Sequence, residues 1–190
     1  MKNRGPAKAQ PIVGQRAEEV QPYGTLANLP LGLSDEARVG SVTALNQMLA
    51  DSICLRDMYK KHHWQAAGAT FYQLHLLFDK HAGEQSEIVD SLAERVQTLG
   101  GVSIAMPGDV AQLSKLAVPP RGREEVPVQV SRLLEAHEHI LVAARAAARA
   151  CTQLGDEGTN DLLISEVVRT NELQAWFLSE LVVDMPLVRA

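Results

Sequence analysis

The sequence lacks the features that would place it in a membrane, secreted or disulfide-stabilised class. No segment approaches the roughly 18 consecutive apolar residues of a membrane span, and the N-terminus lacks the apolar core of a secretory signal. Its two cysteines, Cys54 and Cys151, lie in helical patterns without CxxC spacing. That placement favours buried thiols in a reducing compartment over a disulfide framework. We therefore expect a cytoplasmic protein with no membrane partner.

Aromatic residues are also scarce, and the net charge is negative. Because aromatics make up only 4% of the 190 residues, Leu, Val and Ala must fill the core. A hydrophobic share of 46% is enough for one domain that folds without a structural metal. The formal net charge of −5 argues against a surface that binds nucleic acid throughout, but it leaves room for a local basic arm.

The sequence contains four long helical patterns and no series of strands. Ser34 is placed to cap the first helix and Thr70 the second, and Gly100-Gly101 ends the second. The predicted helices span about residues 34–67, 70–100 and 128–154, and from Thr159 to before Pro186. In the last helix, polar and apolar residues alternate as an amphipathic pattern: Asn171, Glu172, Gln174 and Ser179 against Leu173, Trp176, Phe177 and Leu181.

The link between the second and third long helices determines the fold class. Pro107-Gly108-Asp109 opens a short helix that runs to about Leu116, and residues 118–127 form a polar loop. Four long helices with one such crossover predict an all-α, ferritin-like four-helix bundle. We expect a flexible tail over residues 1–33, the bundle domain over 34–184 and a short C-terminal tail over 185–190.

The Glu-x-x-His motif that holds metal in the middle of many di-iron bundles is absent. The six histidines are preceded three positions earlier by Tyr59, Lys60, Tyr72, Phe78, Leu134 and Ala136, and never by glutamate. A metal site inside the core of a single chain is therefore disfavoured.

A different set of metal-binding side chains lies on the first two helices. His63 and His75 supply imidazoles, and Asp79, Asp90 and Glu94 supply carboxylates, a combination that suits iron, zinc or manganese. At 100° per residue the three carboxylates project within roughly 60° of one another.

His75 and Asp90 are fifteen residues apart on one predicted helix, or roughly 22 Å, so one chain cannot close a site with both. If the helix runs antiparallel to its own copy, with the two-fold axis between Ala82 and Gly83, His75 of one chain comes level with Asp90 of the other. The two small residues would let the helices approach closely. Two identical sites per dimer follow, each built from both subunits.

Together these residues resemble a known family. The resemblance is carried by His63-Trp64, then Leu74-His75-Leu76-Leu77-Phe78-Asp79, then Asp90-Ser91-Leu92-Ala93-Glu94-Arg95 and Gly100-Gly101, and it covers about residues 34–184. The match is to the Dps proteins, the DNA-binding proteins from starved cells. Thr159-Asn160-Asp161 and Trp176 fit the same pattern.

The resemblance implies a hollow homododecamer that oxidises Fe(II), preferably with hydrogen peroxide rather than oxygen, and stores a ferric mineral. Carried over, His63 and His75 face Asp90 and Glu94 of the two-fold mate, Asp79 supports a second iron position, and Trp64 lies beside the metal as an electron donor. Zinc is the alternative metal. The rival interpretation is a shell that mainly compacts and shields DNA.

Two further surfaces follow from the resemblance and from charge. Asp156, Glu157 and Asp161 are the candidates for an acidic pore through which iron enters, although favourable charge at a helix N-terminus explains them equally well. For DNA binding the sequence offers only a weak basic arm, made of Lys2, Arg4, Lys8 and Arg16. Twelve copies of such an arm could bind DNA weakly and without sequence preference through avidity.

The remaining histidines have plainer interpretations. We expect His81, which projects about 240° from His75, to be a surface or interface residue rather than an extra ligand, with His62 in the same class. The cluster Glu135, His137, Glu138 and His139 is a weak candidate for a second metal site, because adjacent helical residues point in different directions. Trp64 is expected to pack in the core whatever else it does.

Overall fold

A computed structural model describes residues 13–183 of the chain. Over these residues the chain is all-helical, and the predicted bundle with a short helix in its crossover is confirmed. The elements are α1 (Asp35–Gln65), α2 (Phe71–Thr98), α3 (Pro107–Leu113), α4 (Val126–Gln153), α5 (Glu157–Leu162), a π-helical segment (Leu163–Val168) and α6 (Arg169–Ser179). No helix in this part of the chain is both long and apolar enough to cross a membrane.

Local hydrogen bonds satisfy free backbone groups at the start of α1 and at the end of α2. Thr70 precedes α2 as predicted, but its side chain makes no capping hydrogen bond. The Ser34 hydroxyl accepts a hydrogen bond from the amide of Ala37 at 3.1 Å, which caps α1 as predicted. At the end of α2, Gly100 and Gly101 donate to the carbonyls of Gln97 and Val96 at 2.8 and 3.0 Å, the pattern of a Schellman motif. Gly100 adopts a φ of 81°, which a side chain would strain.

A segment ahead of α1 lies against this same helix end. Ala27 donates to the carbonyl of Gly100 at 2.7 Å, and the buried Arg38 guanidinium donates to the carbonyls of Leu99 and Ala27. A Cβ atom on Gly100 would lie 2.7 Å from the Ala27 oxygen, so the close approach also requires glycine. Residues in this stretch of the predicted tail are therefore bonded to the bundle.

The third long helix starts two residues earlier than predicted. Pro127 was expected to close a loop, but it occupies the first turn of α4, where a missing N–H costs nothing. The helix in the crossover ends at Leu113 rather than Leu116.

The fourth helix differs most from the sequence prediction, because it is interrupted by the π-helical segment. The buried positions Thr159, Leu163, Val167 and Asn171 are four residues apart, and each such step overshoots a full α-helical turn by about 40°. A π segment, with its wider turn, absorbs this drift and keeps all four side chains against the bundle.

The burial of the last helix also departs from its predicted amphipathic pattern. Asn171 and Gln174 are fully buried, while the apolar residues expected to face the core are exposed. The exposed residues are Leu173, Trp176, Phe177 and Leu181. Val168 and Leu178 supply the apolar contacts instead.

Candidate metal centre

His63, near the end of α1, and His75, in the second turn of α2, form a stacked pair. Their ring centroids are 3.7 Å apart and the ring planes are inclined by 19°. Nδ1 of His63 lies 2.7 Å from the carbonyl oxygen of His75, and Nδ1 of His75 lies 3.0 Å from the carbonyl oxygen of His63. The turn between the helices thus brings together two side chains that are twelve residues apart in sequence.

This reciprocal bonding fixes the tautomer of both rings. A carbonyl oxygen can only accept, so each Nδ1 must carry the hydrogen and donate it. In a neutral imidazole the other nitrogen, Nε2, then holds a free lone pair. Histidine ligands of metals are commonly oriented through such a second-nitrogen hydrogen bond. The two rings are therefore set up to offer two Nε2 donors side by side.

Asp79, the carboxylate predicted to support a second iron position, lies one turn after His75 and is already paired. The Lys60 ammonium donates to its Oδ1 at 2.6 Å. This hydrogen bond, with the positive charge of Lys60, holds the pKa of Asp79 below its usual value. Lys60 is a neighbour that the sequence analysis did not identify. A cation bound at Asp79 must compete with it.

Asp90 and Glu94 are exposed on α2, and neither side chain makes a hydrogen bond or ion pair within residues 13–183. Since α2 is one continuous helix from Phe71 to Thr98, both carboxylates are well beyond the reach of His75 in the same chain. Over the described residues no three His, Cys, Asp or Glu side chains of one chain converge on a common point. The structure thus brings the two histidines together and leaves the two carboxylates apart from them.

The small residues at the centre of α2 differ in their placement. Gly83 is exposed, and a Cβ atom built on it meets nothing within 4 Å, so it leaves open space on the same side of the helix as Asp79 and Asp90. Ala82 is buried against its own chain. The expectation that both small residues would let a second helix approach closely is wrong for Ala82, because its side chain already packs inside its own chain and adjacent helical positions point in different directions.

Trp64 follows His63 and was expected to pack in the core. Its side chain is instead 68% exposed, since the position after a half-buried residue near the end of α1 points away from the bundle. The indole lies on the outer surface of the single chain, and Trp64 directly follows His63 of the histidine pair in sequence.

Three of the remaining histidines lie in the bundle core, and the expectation of surface or interface positions for His62 and His81 is wrong. His62, His81 and His137 are at most 1% exposed. Burial lowers the pKa of each to about 4, so all three are neutral at physiological pH. His137 is thereby separated from Glu135 and Glu138, which are exposed.

Asp156 does not have the position that a pore-lining residue requires. Its side chain is 1% exposed, accepts from the Thr159 amide at 3.0 Å as the N-cap of α5, and pairs with Arg95 at 2.7 Å. Glu157 and Asp161 are exposed. The alternative interpretation, favourable charge at a helix N-terminus, therefore describes Asp156, because its carboxylate is fully engaged within its own chain.

We predict that Asp156→Asn will destabilise the fold mainly at neutral pH. Burial alone would raise the pKa of Asp156, but hydrogen bonds from Thr159 and Ser41 and the charge of Arg95 outweigh burial and lower it. Asparagine still caps the helix but loses the ion pair, which should cost about 1.5–3 kcal/mol. The stability from a carboxylate with a lowered pKa is present above about pH 4 and is lost as the pH falls further.

Thermal unfolding at several pH values tests this prediction. The difference in stability between the wild type and Asp156→Asn should shrink as the pH drops below about 4. Glu157→Gln, the adjacent exposed residue, is the matched control and should unfold like the wild type. A difference that stays constant with pH would contradict the assignment of the charge to Asp156.

The basic arm lies largely outside the described residues, which begin at Val13 and so exclude Lys2, Arg4 and Lys8. Arg16 is exposed, and its guanidinium donates to the backbone carbonyl of the preceding Gln15 at 2.7 Å.

Comparisons with known proteins extend over most of the chain. A family model described as a ferritin-like domain matches residues 42–188. DpsC from Streptomyces coelicolor is 56% identical, with a TM-score of 0.87 over 90% of this chain and 100% of that one. An archaeal Dps homologue from Halobacterium salinarum is 28% identical, with a TM-score of 0.85 over 92% and 97%. A nutrient stress-induced DNA-binding protein of Synechococcus sp. is 32% identical over 153 residues, 80% of this chain and 87% of the relative.

Proposed function

The chain belongs to the Dps family of the ferritin-like superfamily, and we propose that it is a ferroxidase and iron-storage mini-ferritin. Its substrates are Fe(II) and, in preference to oxygen, hydrogen peroxide. The oxidation takes place between two-fold-related subunits of a homododecamer, and the ferric product is stored as a mineral in the shell. Removal of both reagents protects DNA from oxidative damage.

The histidine pair is the observation that carries this proposal. His63 and His75 present two adjacent Nε2 lone pairs whose tautomers are fixed by the two carbonyls, and nothing else in the described chain completes the site. The partner subunit's Asp90 and the partner subunit's Glu94 supply the missing oxygen ligands. Both carboxylates lie on the stripe that contains Gly83 and have no partner among the described residues, so they are available to a second copy of α2.

The ligand set suits the oxidation of iron. Imidazole binds Fe(II) well, and carboxylates stabilise the more highly charged Fe(III). Two irons held at one site supply the two electrons that convert hydrogen peroxide to two hydroxide ions, so no hydroxyl radical is released. Asp79 contributes to the second iron position after Lys60 is displaced, and this position is therefore the weaker of the two.

An anaerobic titration with Fe(II), followed by rapid mixing with hydrogen peroxide or oxygen, tests the proposal. Ferric absorbance should rise much faster with peroxide than with oxygen, and added Zn(II) should slow it by competing for the same imidazoles. If oxidation in the presence of the protein is no faster than in buffer, the ferroxidase proposal is wrong and a zinc-bound or DNA-shielding shell takes its place.

Iron must also reach the interior of the shell. Glu157 and Asp161 are exposed near the start of α5, where the charges of symmetry-related copies would concentrate cations. We retain these two residues as the proposed entry pore, without Asp156, whose carboxylate is buried.

DNA shielding is the second candidate function, because a relative that the chain matches over 80% of its length is named as a DNA-binding protein. Replacing Lys2, Arg4, Lys8 and Arg16 together by alanine should abolish retardation of DNA in a gel while leaving iron oxidation unchanged. Wild-type binding should weaken steeply as the salt concentration rises, as expected for phosphate contacts. Retardation that persists in the variant would place DNA binding outside the arm.

A further inference from the structure

The centre of the bundle holds a buried chain of hydrogen bonds that the proposed metal site does not use. The Tyr59 hydroxyl lies 2.5 Å from Nε2 of His137 and 3.1 Å from Nδ1 of His81. The Tyr59 ring is fully buried, and both histidines are at most 1% exposed. Nδ1 of His137 lies 2.8 Å from Oδ1 of Asn171 on the last helix. Three long helical segments thus meet at one phenol.

The direction of each hydrogen bond can be assigned from Asn171. Its amide nitrogen donates to the carbonyl of Val167 at 2.7 Å, so its Oδ1 faces His137 and must accept from Nδ1. Gln85 also donates to this oxygen, at 3.2 Å, which supports the assignment. Nε2 of His137 therefore carries a lone pair, and the phenol of Tyr59 donates its single hydrogen to it.

Protonation states agree with this direction. Burial keeps His137 neutral by lowering its pKa to about 4, and burial also raises the pKa of Tyr59 well above 10, so the phenol keeps its proton. Because the one phenolic hydrogen is committed to His137, Nδ1 of His81 must donate to the phenol oxygen. Tyr59 is thus the one tyrosine with a base in direct contact. Tyr23 and Tyr72 are exposed, and within residues 13–183 neither makes such a bond.

A phenol with this environment is suited to one-electron oxidation. Removal of an electron makes a phenol strongly acidic, so oxidation inside a core requires an acceptor for the proton at hydrogen-bond distance. His137 meets that requirement without any movement of heavy atoms. Tyr59 also lies one turn before His63 on α1, about 6 Å along the helix axis, so the two side chains project from neighbouring turns of the same helix.

We propose that Tyr59 supplies the second electron to hydrogen peroxide when only one Fe(II) occupies the metal site. This inference rests on the proposed function. One Fe(II) reduces peroxide to hydroxide and a hydroxyl radical. An electron from Tyr59 converts that radical to a second hydroxide, and the phenolic proton moves to Nε2 of His137. The step balances, because its products are one Fe(III), two hydroxides, one neutral tyrosyl radical and one imidazolium. A later Fe(II) returns the electron, and His137 returns the proton.

The test uses a variant in which Tyr59 is the sole tyrosine. The sequence has three tyrosines, so Tyr23→Phe/Tyr72→Phe leaves Tyr59 alone, and the further change Tyr59→Phe is its matched control. Each assembled protein is given one Fe(II) per site and hydrogen peroxide, frozen within milliseconds and examined by electron paramagnetic resonance. A spin trap measures escaped hydroxyl radical, and ferric absorbance is followed in parallel.

We expect a tyrosyl signal in the background variant. After the further change Tyr59→Phe this signal should be lost completely, and the amount of trapped hydroxyl radical should rise several-fold. With two Fe(II) per site, the yield of trapped hydroxyl radical should be equal in the variants with and without Tyr59. His137→Gln, which can accept a hydrogen bond but cannot hold a proton, should lose most of the signal. A network that only holds helices together would leave all of these readings unchanged.

A second oxidant keeps the inference testable even if the protein fails to oxidise iron. Azide radicals generated by pulse radiolysis oxidise the iron-free background variant directly, and a tyrosyl spectrum that disappears with Tyr59→Phe would still support an oxidisable Tyr59. Absence of ferric absorbance would then reject the proposed function alone. No tyrosyl signal with either oxidant, or a signal that survives Tyr59→Phe, overturns the inference.

Discussion

Replacing His63 and Asp90 together by alanine is expected to reduce peroxide-driven oxidation of Fe(II) to the rate measured in buffer. In the proposed site the two residues come from different subunits, so the change removes one nitrogen ligand and one oxygen ligand from every site. Loss of an outer-shell partner alone costs roughly 10–100-fold in metal affinity or activity. Loss of two direct ligands should therefore cost at least about 100-fold.

Stopped-flow absorbance measures this loss, and the control is Glu138→Ala. Glu138 is an exposed carboxylate on α4 that belongs to the weaker metal-binding cluster of the sequence analysis, so its removal should leave the rate unchanged. The folded state should survive both changes, because Asp90 is exposed and His63 only half-buried. Activity that is retained in His63→Ala/Asp90→Ala, or lost in Glu138→Ala, would move the site away from α1 and α2.

The sequence was sufficient for the start of α1 and the end of α2 because these depend on local chemistry. Ser34 caps α1 and Gly100-Gly101 end α2 through bonds within five residues, and such patterns are readable without tertiary contacts. The proximity of His63 and His75 also follows from a short turn between two long helices. What could not be read was the reciprocal bond from each ring to the other residue's carbonyl, which depends on the crossing of the helices.

The failures occur where hydrophobic patterning does not identify the inner face. On the last helix the apolar residues Trp176 and Phe177 are 58% and 41% exposed, while polar Asn171 lies in the core. A subunit that assembles carries two apolar faces, and periodicity does not distinguish them. The burial of His62 and His81 was not predicted for a related reason. Whether a histidine can be buried depends on helices distant in sequence, which either offer it hydrogen-bond partners or surround it so that its ring stays neutral.

Part of the iron oxidation is expected to return when two inactive variants, His75→Ala and Asp90→Ala, are assembled together. His75→Ala lacks a nitrogen ligand and Asp90→Ala an oxygen ligand, so each homodimer contains two defective sites and should be inactive alone. In a mixed dimer, however, the intact His75 of one chain faces the intact Asp90 of the other. One of its two sites is then complete, while the other carries both defects.

Random reassembly of equal amounts gives mixed dimers in half of all pairs, so about a quarter of the sites should recover. The chains are unfolded together, refolded and separated by size, and both iron oxidation and tightly bound Fe(II) per dimer are measured. Refolded His75→Ala alone and Asp90→Ala alone are the controls.

A single-chain site predicts no recovery at any ratio of the two proteins, because each chain would keep its own defect. A shared site predicts that recovery rises and falls with the ratio and is greatest at equal amounts. The reason lies in α2 itself: fifteen residues of continuous helix separate His75 from Asp90, and only a second antiparallel copy brings the two side chains level.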